Sequence, residues 1–250
     1  MSAEKCHRGI FIAGTDTGVG KTVVSSGLVR LARRYGIRCA GLKPVETGCI
    51  AKSGELFPED GARLVEASEG EITLDECAPL RFSIPASPAR AAALEGSQIY
   101  PSDLVEHVRA VAEKVELIVV EGAGGLMVPI DERTMMIHFI ERLGFPVLLV
   151  ARSRLGTINH TMLSLEALRN RGIGILGVVV SCTDATPGPE EGYSAGDLGR
   201  LASPVRVVTL PHLPPSESAD PERIFVAMKG AWPEDFVMAL LSHESTSLRV

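Results

Sequence analysis

The chain has 250 residues, is 45% apolar and carries a net charge of −6. That supports a large core, read here as one domain over residues 1–250, and the acidic balance excludes a general affinity for nucleic acid or anionic membrane. No apolar run reaches the ~18 to 20 residues of a membrane span, and the start, MSAEKCHRGIFIAG, lacks the long apolar stretch of a secretory signal.

In chain order, residues 9–14 (GIFIAG) read as a strand and 20–35 as a helix. A strand over 37–44 and a helix over 59–68 follow. Next come a helix over 102–114, a strand over 115–122, a helix over 133–143 and a strand over 145–151. The chain continues with a helix over 157–171, strands over 173–181 and 204–210, and a helix over 220–241. Several strands are apolar on both faces, as in a parallel sheet covered on both sides. The alternation predicts an α/β fold with a mainly parallel sheet. Ligands of such sheets bind at the carboxyl ends of the strands, and each motif below falls there or in the next loop. The five cysteines (Cys6, Cys39, Cys49, Cys77 and Cys182) are odd in number and form no C-x-x-C pair, which predicts reduced thiols in a cytoplasmic protein.

The first strand and helix flank GTDTGVGKT, residues 14–22. The common phosphate loop, G-x-x-x-x-G-K-[ST], would place a glycine at 15, where Thr15 stands instead; the glycine is Gly14. Gly18, Val19, Gly20 and the helix start through Val23 still offer backbone N–H groups to an anion. Lys21 would reach the outer phosphates and Thr22 would give its hydroxyl to Mg²⁺. Asp16 stands where dimeric partition ATPases carry a second lysine, which argues against that class.

Lys43, in GLKPVETG, closes the second strand. Alone it reads as a lysine reaching for water; in a parallel sheet the same strand end can face the phosphate loop and place a second cation beside Lys21. VELIVVEGAGG ends a strand on Glu121, a position where phosphate-loop enzymes commonly hold Mg²⁺. The turn of Gly122, Ala123, Gly124 and Gly125 lets backbone approach a bound group. Asp60, in PEDGARLVEA, reads alone as a helix cap. No N-K-x-D follows a later strand, which excludes the usual GTPase base site.

GTDTGVGKT, KPVETG, VEGAGG and GTINH, in this order and spacing, resemble the dethiobiotin synthetase family over about residues 9 to 213. The family's loop, G-T-D-T-x-V-G-K-T, has the same displaced glycine, so the resemblance makes the loop a specialised form that acts on substrate as well as phosphate. It implies a P-loop NTPase-like three-layer sandwich and an ATP-dependent cyclo-ligase that joins CO₂ and 7,8-diaminononanoate into a cyclic urea with Mg²⁺. It also implies a homodimer with the substrate site at the subunit interface. Carried over by motif, Lys43, Lys21 and Thr17 are catalytic, and Thr22, Asp60 and Glu121 hold the metal. Thr47 binds substrate. Gly156, Thr157, Ile158 and Asn159 start a helix that takes the substrate carboxylate of the neighbouring subunit, a fitting place for an anion.

The chain departs from the family at Ser181, followed by Cys182, where many members read the adenine edge with an asparagine. Serine cannot make paired amide contacts, so base selection is expected to relax or to pass to Pro211, His212 and Leu213. Two rivals stay open in the sequence: an amidation domain of the corrin-pathway type, and a non-catalytic partition-type ATPase.

Overall fold

The computed structural model describes residues 8–184 and 191–242, without the side chains of residues 191–194. In chain order the elements are β1 (Gly9–Gly14), α1 (Lys21–Arg34), β2 (Cys39–Leu42), β3 (Val45–Thr47), β4 (Ile50–Lys52), β5 (Glu55–Phe57), α2 (Glu59–Ala67), α3 (Leu74–Cys77), β6 (Leu80–Phe82), α4 (Pro88–Leu94) and α5 (Pro101–Ala112). They continue as β7 (Leu117–Gly125), α6 (Met136–Leu143), β8 (Val147–Arg152), α7 (Thr157–Arg169), β9 (Ile175–Ser181), α8 (Glu191–Leu201), β10 (Val207–Leu210), α9 (Pro215–Ser218), α10 (Pro221–Ala231) and α11 (Glu234–Ser242).

Six strands form one sheet in the order β10-β9-β8-β1-β7-β2, with every pairing parallel. Parallel neighbours need crossovers, and helices supply them on both faces. The two-residue period of β1 divides its side chains between two cores. Ile10 and Ile12 join Val24 and Leu28 of α1, Met228 of α10 and Phe236 of α11. Phe11 and Ala13 join Val108 of α5, Ile137 and Ile140 of α6 and Leu165 of α7. In β7, Leu117 and Val119 go to the first core, Ile118 and Val120 to the second. Burying each such large side chain stabilises by roughly 1.5–3 kcal/mol over leaving it exposed. The result is the expected P-loop NTPase-like three-layer sandwich.

Strand register gathers the motifs on one edge. Ile12 lies opposite Glu121, Gly14 opposite Gly125 and Val150, Leu42 opposite Val120, and Ser181 opposite Arg152 and Leu210. β1 sits between β7 and β8, where the order of strands reverses and a parallel sheet leaves a crevice at its carboxyl end.

The helices α3, α4, α8 and α9 and the strand β6 are not among the elements expected from the sequence, and β7, expected to end at 122, runs on through Glu121 to Gly125. Three further features also differ. β2 stops at Leu42: the Lys43 N–H donates to the Cys77 carbonyl at 2.9 Å, outside the ladder, and Pro44 has no N–H. The single helix expected over 220–241 is two, α10 and α11. Pro233 forces Trp232 out of helical geometry, to φ −98° and ψ 133°. The segment 45–57 holds β3, paired in parallel with β6, and a β4–β5 hairpin; at three residues each, these strands are too short to show an alternation. Among the described residues no helix is long and apolar enough to cross a membrane.

Candidate functional site

β1 delivers the chain to the crevice at Gly14. A Cβ there would lie 2.8 Å from the Asp16 carbonyl oxygen and 2.9 Å from Lys21 Nζ. Lys21 folds back over this position and donates to the Asp16 carbonyl at 3.0 Å. The displaced glycine is therefore a matter of space for the lysine, whereas Thr15 does not sit at positive φ and carries its side chain without strain. Asp16 Oδ1 accepts the Thr17 N–H at 2.7 Å, which fixes the turn. Gly20, at φ 94°, starts α1 in left-handed geometry, with no side-chain cap and no acid in the first turn. The helix-terminal N–H groups stay available to an anion.

Beside the loop lies a compact charge cluster. The Lys43 ammonium donates to Asp60 Oδ2 and to Glu121 Oε1, the latter at 3.0 Å. The Thr22 hydroxyl donates to the same Glu121 oxygen at 2.9 Å. Lys43, Lys21 and Glu121 are buried, Glu121 to 1% exposure. Burial works against the charge on Lys43, but the carboxylates of Glu121, Asp60 and Glu46 outweigh it and hold the ammonium above the usual lysine range. Lys21 moves the other way: burial lowers it, and the attraction of Glu121 does not make up the loss. Burial opposes the charge on Asp60 too, yet the ammonium of Lys43 holds its carboxyl below the usual range.

Asp60 lies inside the first turn of α2, so the reading of it as a cap residue does not hold; Pro58 occupies the N-cap. The N–H groups of Asp60 and Gly61 instead donate to Glu46 at 3.0 and 2.8 Å. Glu46 is buried, and burial raises its carboxyl despite the nearby Lys43. Sequence reasoning passed over it, because a cap supplied from another segment has no local signature.

A cavity of about 680 Å³ opens over this cluster, well within the range of small-molecule sites. Thr17, Gly18, Gly20, Lys21, Thr22, Val23, Lys43, Thr47, Asp60, Glu121, Ala123 and Gly124 line it, all of them residues singled out from the sequence. Arg63, Ser87, Val128 and Thr183 also line it and were not. Val19 and Gly122 stand behind the wall: Val19 is fully buried, and a Cβ at Gly122 would meet the Phe11 ring at 2.9 Å. A smaller recess of about 120 Å³ adjoins Gly20 and Val23 and is lined by Ser181, Cys182, Pro211, His212 and Leu213. Gly156, Thr157, Ile158 and Asn159 line neither space; Gly156 caps α7 at φ 94°, with no capping side chain.

Whether this site suits a divalent cation can be judged from its donors. Glu121 Oε2 is buried and has no hydrogen-bond partner, an arrangement that is costly unless something else satisfies the oxygen. With Asp60 and the Thr22 hydroxyl it makes a small, all-oxygen set. Mg²⁺ characteristically takes one or two carboxylates and completes its shell with phosphate and water. Among the described residues no group of three or more His, Cys, Asp and Glu could enclose a metal, so a cation here would share its shell with a ligand. The donors fit Mg²⁺ carried on a nucleotide.

A family model described as an AAA domain matches residues 8–223. The chain is 44% identical, over 83% of its length and 91% of the relative's, to the ATP-dependent dethiobiotin synthetase BioD of Anaeromyxobacter dehalogenans. It is 35% identical to the protein of the same name from Bacillus licheniformis, covering 89% of this chain and 92% of that one. Among solved structures, the septum site-determining protein MinD of Pyrococcus horikoshii, complexed with Mg-ADP, superposes with a TM-score of 0.53 at 16% identity, over 93% of this chain and 94% of the other. At that identity the likeness speaks for the fold alone.

Proposed function

The chain belongs to the ATP-dependent dethiobiotin synthetase family, and on that premise we propose that the crevice at the carboxyl edge of the sheet runs the ring closure with the residues gathered there. The reaction consumes ATP, CO₂ and 7,8-diaminononanoate and yields dethiobiotin, ADP and phosphate. One amine adds to CO₂, losing a proton, to give a carbamate. A carbamate oxygen attacks the γ-phosphorus and ADP leaves, which forms a carbamic-phosphoric anhydride. The second amine then attacks the carbamoyl carbon, phosphate leaves, and the cyclic urea is closed.

Each step has a group suited to it. The N-terminus of α1, with Gly18 through Val23, cradles the phosphates. Lys21 and Lys43 supply fixed positive charge where the transferring phosphoryl group and the carbamate concentrate negative charge. Lys43 stays an ammonium at neutral pH, since its neighbours hold it above the ordinary range. Thr17 and Thr47, which line the cavity with Lys43, offer hydroxyls to the diamine and the carbamate. Thr22, Asp60 and Glu121 would hold Mg²⁺, which when bound neutralises phosphate charge. No covalent enzyme nucleophile is required. The 120 Å³ recess at Ser181, Pro211 and His212 is the place for the base.

The start of α7 needs a second copy to take part, since Gly156 to Asn159 do not line the cavity of their own chain. Leu155, 91% exposed, and Leu163, 58% exposed, flank that helix start. Burying them in a homodimer would bring the uncapped N-terminus of α7 to the partner's substrate carboxylate.

The observation that carries the reading is the buried ammonium of Lys43 between two carboxylates above the phosphate loop. The test is phosphate release from ATP measured with the diamine and bicarbonate together, and with each omitted. Release that requires both is expected. Release that ignores the diamine, or that needs glutamine or DNA, contradicts the proposal.

A further inference from the structure

One carboxylate at this edge has no part in the chemistry above. Glu46, on β3, is 5% exposed, and both its oxygens accept main-chain N–H groups, Oε1 from Asp60 at 3.0 Å and Oε2 from Gly61 at 2.8 Å. These are the second and third residues of α2, whose donors a helix's own N-cap side chain ordinarily satisfies. Here the N-cap is Pro58, which makes no side-chain bond and has no side-chain acceptor to offer. The cap comes instead from 14 and 15 positions back along the chain. A carboxylate suits the positive end of the helix, and the fit is close: a Cβ on Gly61 would lie 3.0 Å from Ala78 Cβ and 3.4 Å from Glu46 Oε2.

The consequence falls on Asp60. Its backbone is held by Glu46, and its carboxylate by Lys43, three residues before Glu46 in the same KPVETG segment. We propose that Glu46 is a positioning residue: through the Asp60 and Gly61 N–H groups it aims the Asp60 carboxylate at the divalent cation that accompanies the nucleotide. The inference rests on Asp60 being a metal ligand, as proposed above. Groups that orient metal ligands typically change metal affinity by ~10–100-fold when removed.

The experiment is calorimetric binding of ADP to the full chain at graded Mg²⁺ and in EDTA, with thermal melting of each variant. Glu46→Ala is expected to need about tenfold or more Mg²⁺ to reach the half-point. Its ADP affinity in EDTA is expected to match the parent, because the Glu46 carboxylate is engaged with the start of α2. Glu46→Gln keeps the size and one acceptor oxygen, so its half-point should fall between the two; it carries the test if the alanine variant does not fold. A parental Mg²⁺ half-point in folded Glu46→Ala or Glu46→Gln overturns the inference. So does an equal loss of ADP affinity with and without metal, which a merely structural cap would produce. Asp60→Asn separates the two levels. If it leaves the Mg²⁺ half-point unchanged, the metal site itself is wrongly assigned; if it shifts the half-point and the Glu46 variants do not, only the role of Glu46 fails.

Discussion

Two charged clusters in this molecule invite comparison. On the outer face of α1, Arg33 pairs with Glu69 and Glu71 at 2.9 and 3.0 Å, and Arg34 pairs with Glu222 at 2.5 Å. Arg34, Glu69 and Glu222 are open to water and Arg33 and Glu71 partly so, and each carboxylate meets at least one guanidinium. At the sheet edge, Lys43 and Glu121 are taken out of water instead, with Asp60 half-covered beside them, at a desolvation cost that an open surface pair does not meet. The inner cluster is also incomplete, with Glu121 Oε2 lacking a partner. Replacing such a cluster by apolar side chains would in general be neutral or stabilising. A buried, half-satisfied set of charges in a cavity is therefore better explained by chemistry than by stability, while the outer set is ordinary surface electrostatics.

The largest effect should come from breaking the inner cluster. Lys43→Gln is expected to lower turnover by ~10²–10³, the cost of one preorganised charge contact on a developing negative charge, with the far-ultraviolet circular dichroism of the parent. Near-parental kcat in a folded Lys43→Gln protein would place the chemistry elsewhere.

The small recess sharpens the contrast from the other side. Ser181 lines the small recess, where a Cβ on Gly20 would approach its hydroxyl to 2.7 Å. A site without a bidentate partner for the base discriminates weakly, and the phosphate loop holds the triphosphate whatever the base. CTP and GTP should support turnover with a penalty of only ~1–3 kcal/mol. Ser181→Asn should widen the preference for ATP, read as kcat/KM for the three nucleotides. A preference for ATP of several thousand-fold in the native enzyme would mean that groups near Pro211 read the base.

The smallest effect belongs to the outer network. The Arg33 guanidinium, through its hydrogen bond, holds Glu71 below the usual carboxylate range. A lowered folded pKa contributes stability that is present above the unfolded carboxylate pKa and is lost as pH falls through the folded one. Glu71→Gln should therefore cost about 0.2–1 kcal/mol near neutrality, read from urea melts, and the gap from the parent should close in acid. Turnover should not change. A loss of turnover matching that of Lys43→Gln would erase the distinction between the two clusters.

Legibility in the sequence follows the same line. The phosphate loop is local: nine consecutive residues, flanked by a strand and a helix, announce it. Lys43 and Glu121 could be found because apolar runs lead into them and parallel register fixes where such runs meet. The contact between Lys43 and Asp60 depends on how α2 docks, which periodicity does not encode. Glu46 went unseen for the same reason, as did Arg63 and Ser87, which reach the cavity from α2 and from the start of α4. The break at Pro233 was visible as a residue but was overridden by the apolar pattern running through it.

The central claim is that the edge cluster phosphorylates a carbamate. The most direct test is single-turnover reaction with the diamine, ATP and CO₂ carrying heavy oxygen, followed by mass analysis of the released phosphate. The bridging oxygen of a carbamic-phosphoric anhydride comes from CO₂ and departs with phosphorus when the second amine attacks carbon, so one heavy oxygen should appear in phosphate alongside each ring closed. Phosphate free of the label, with dethiobiotin still formed, would contradict the account.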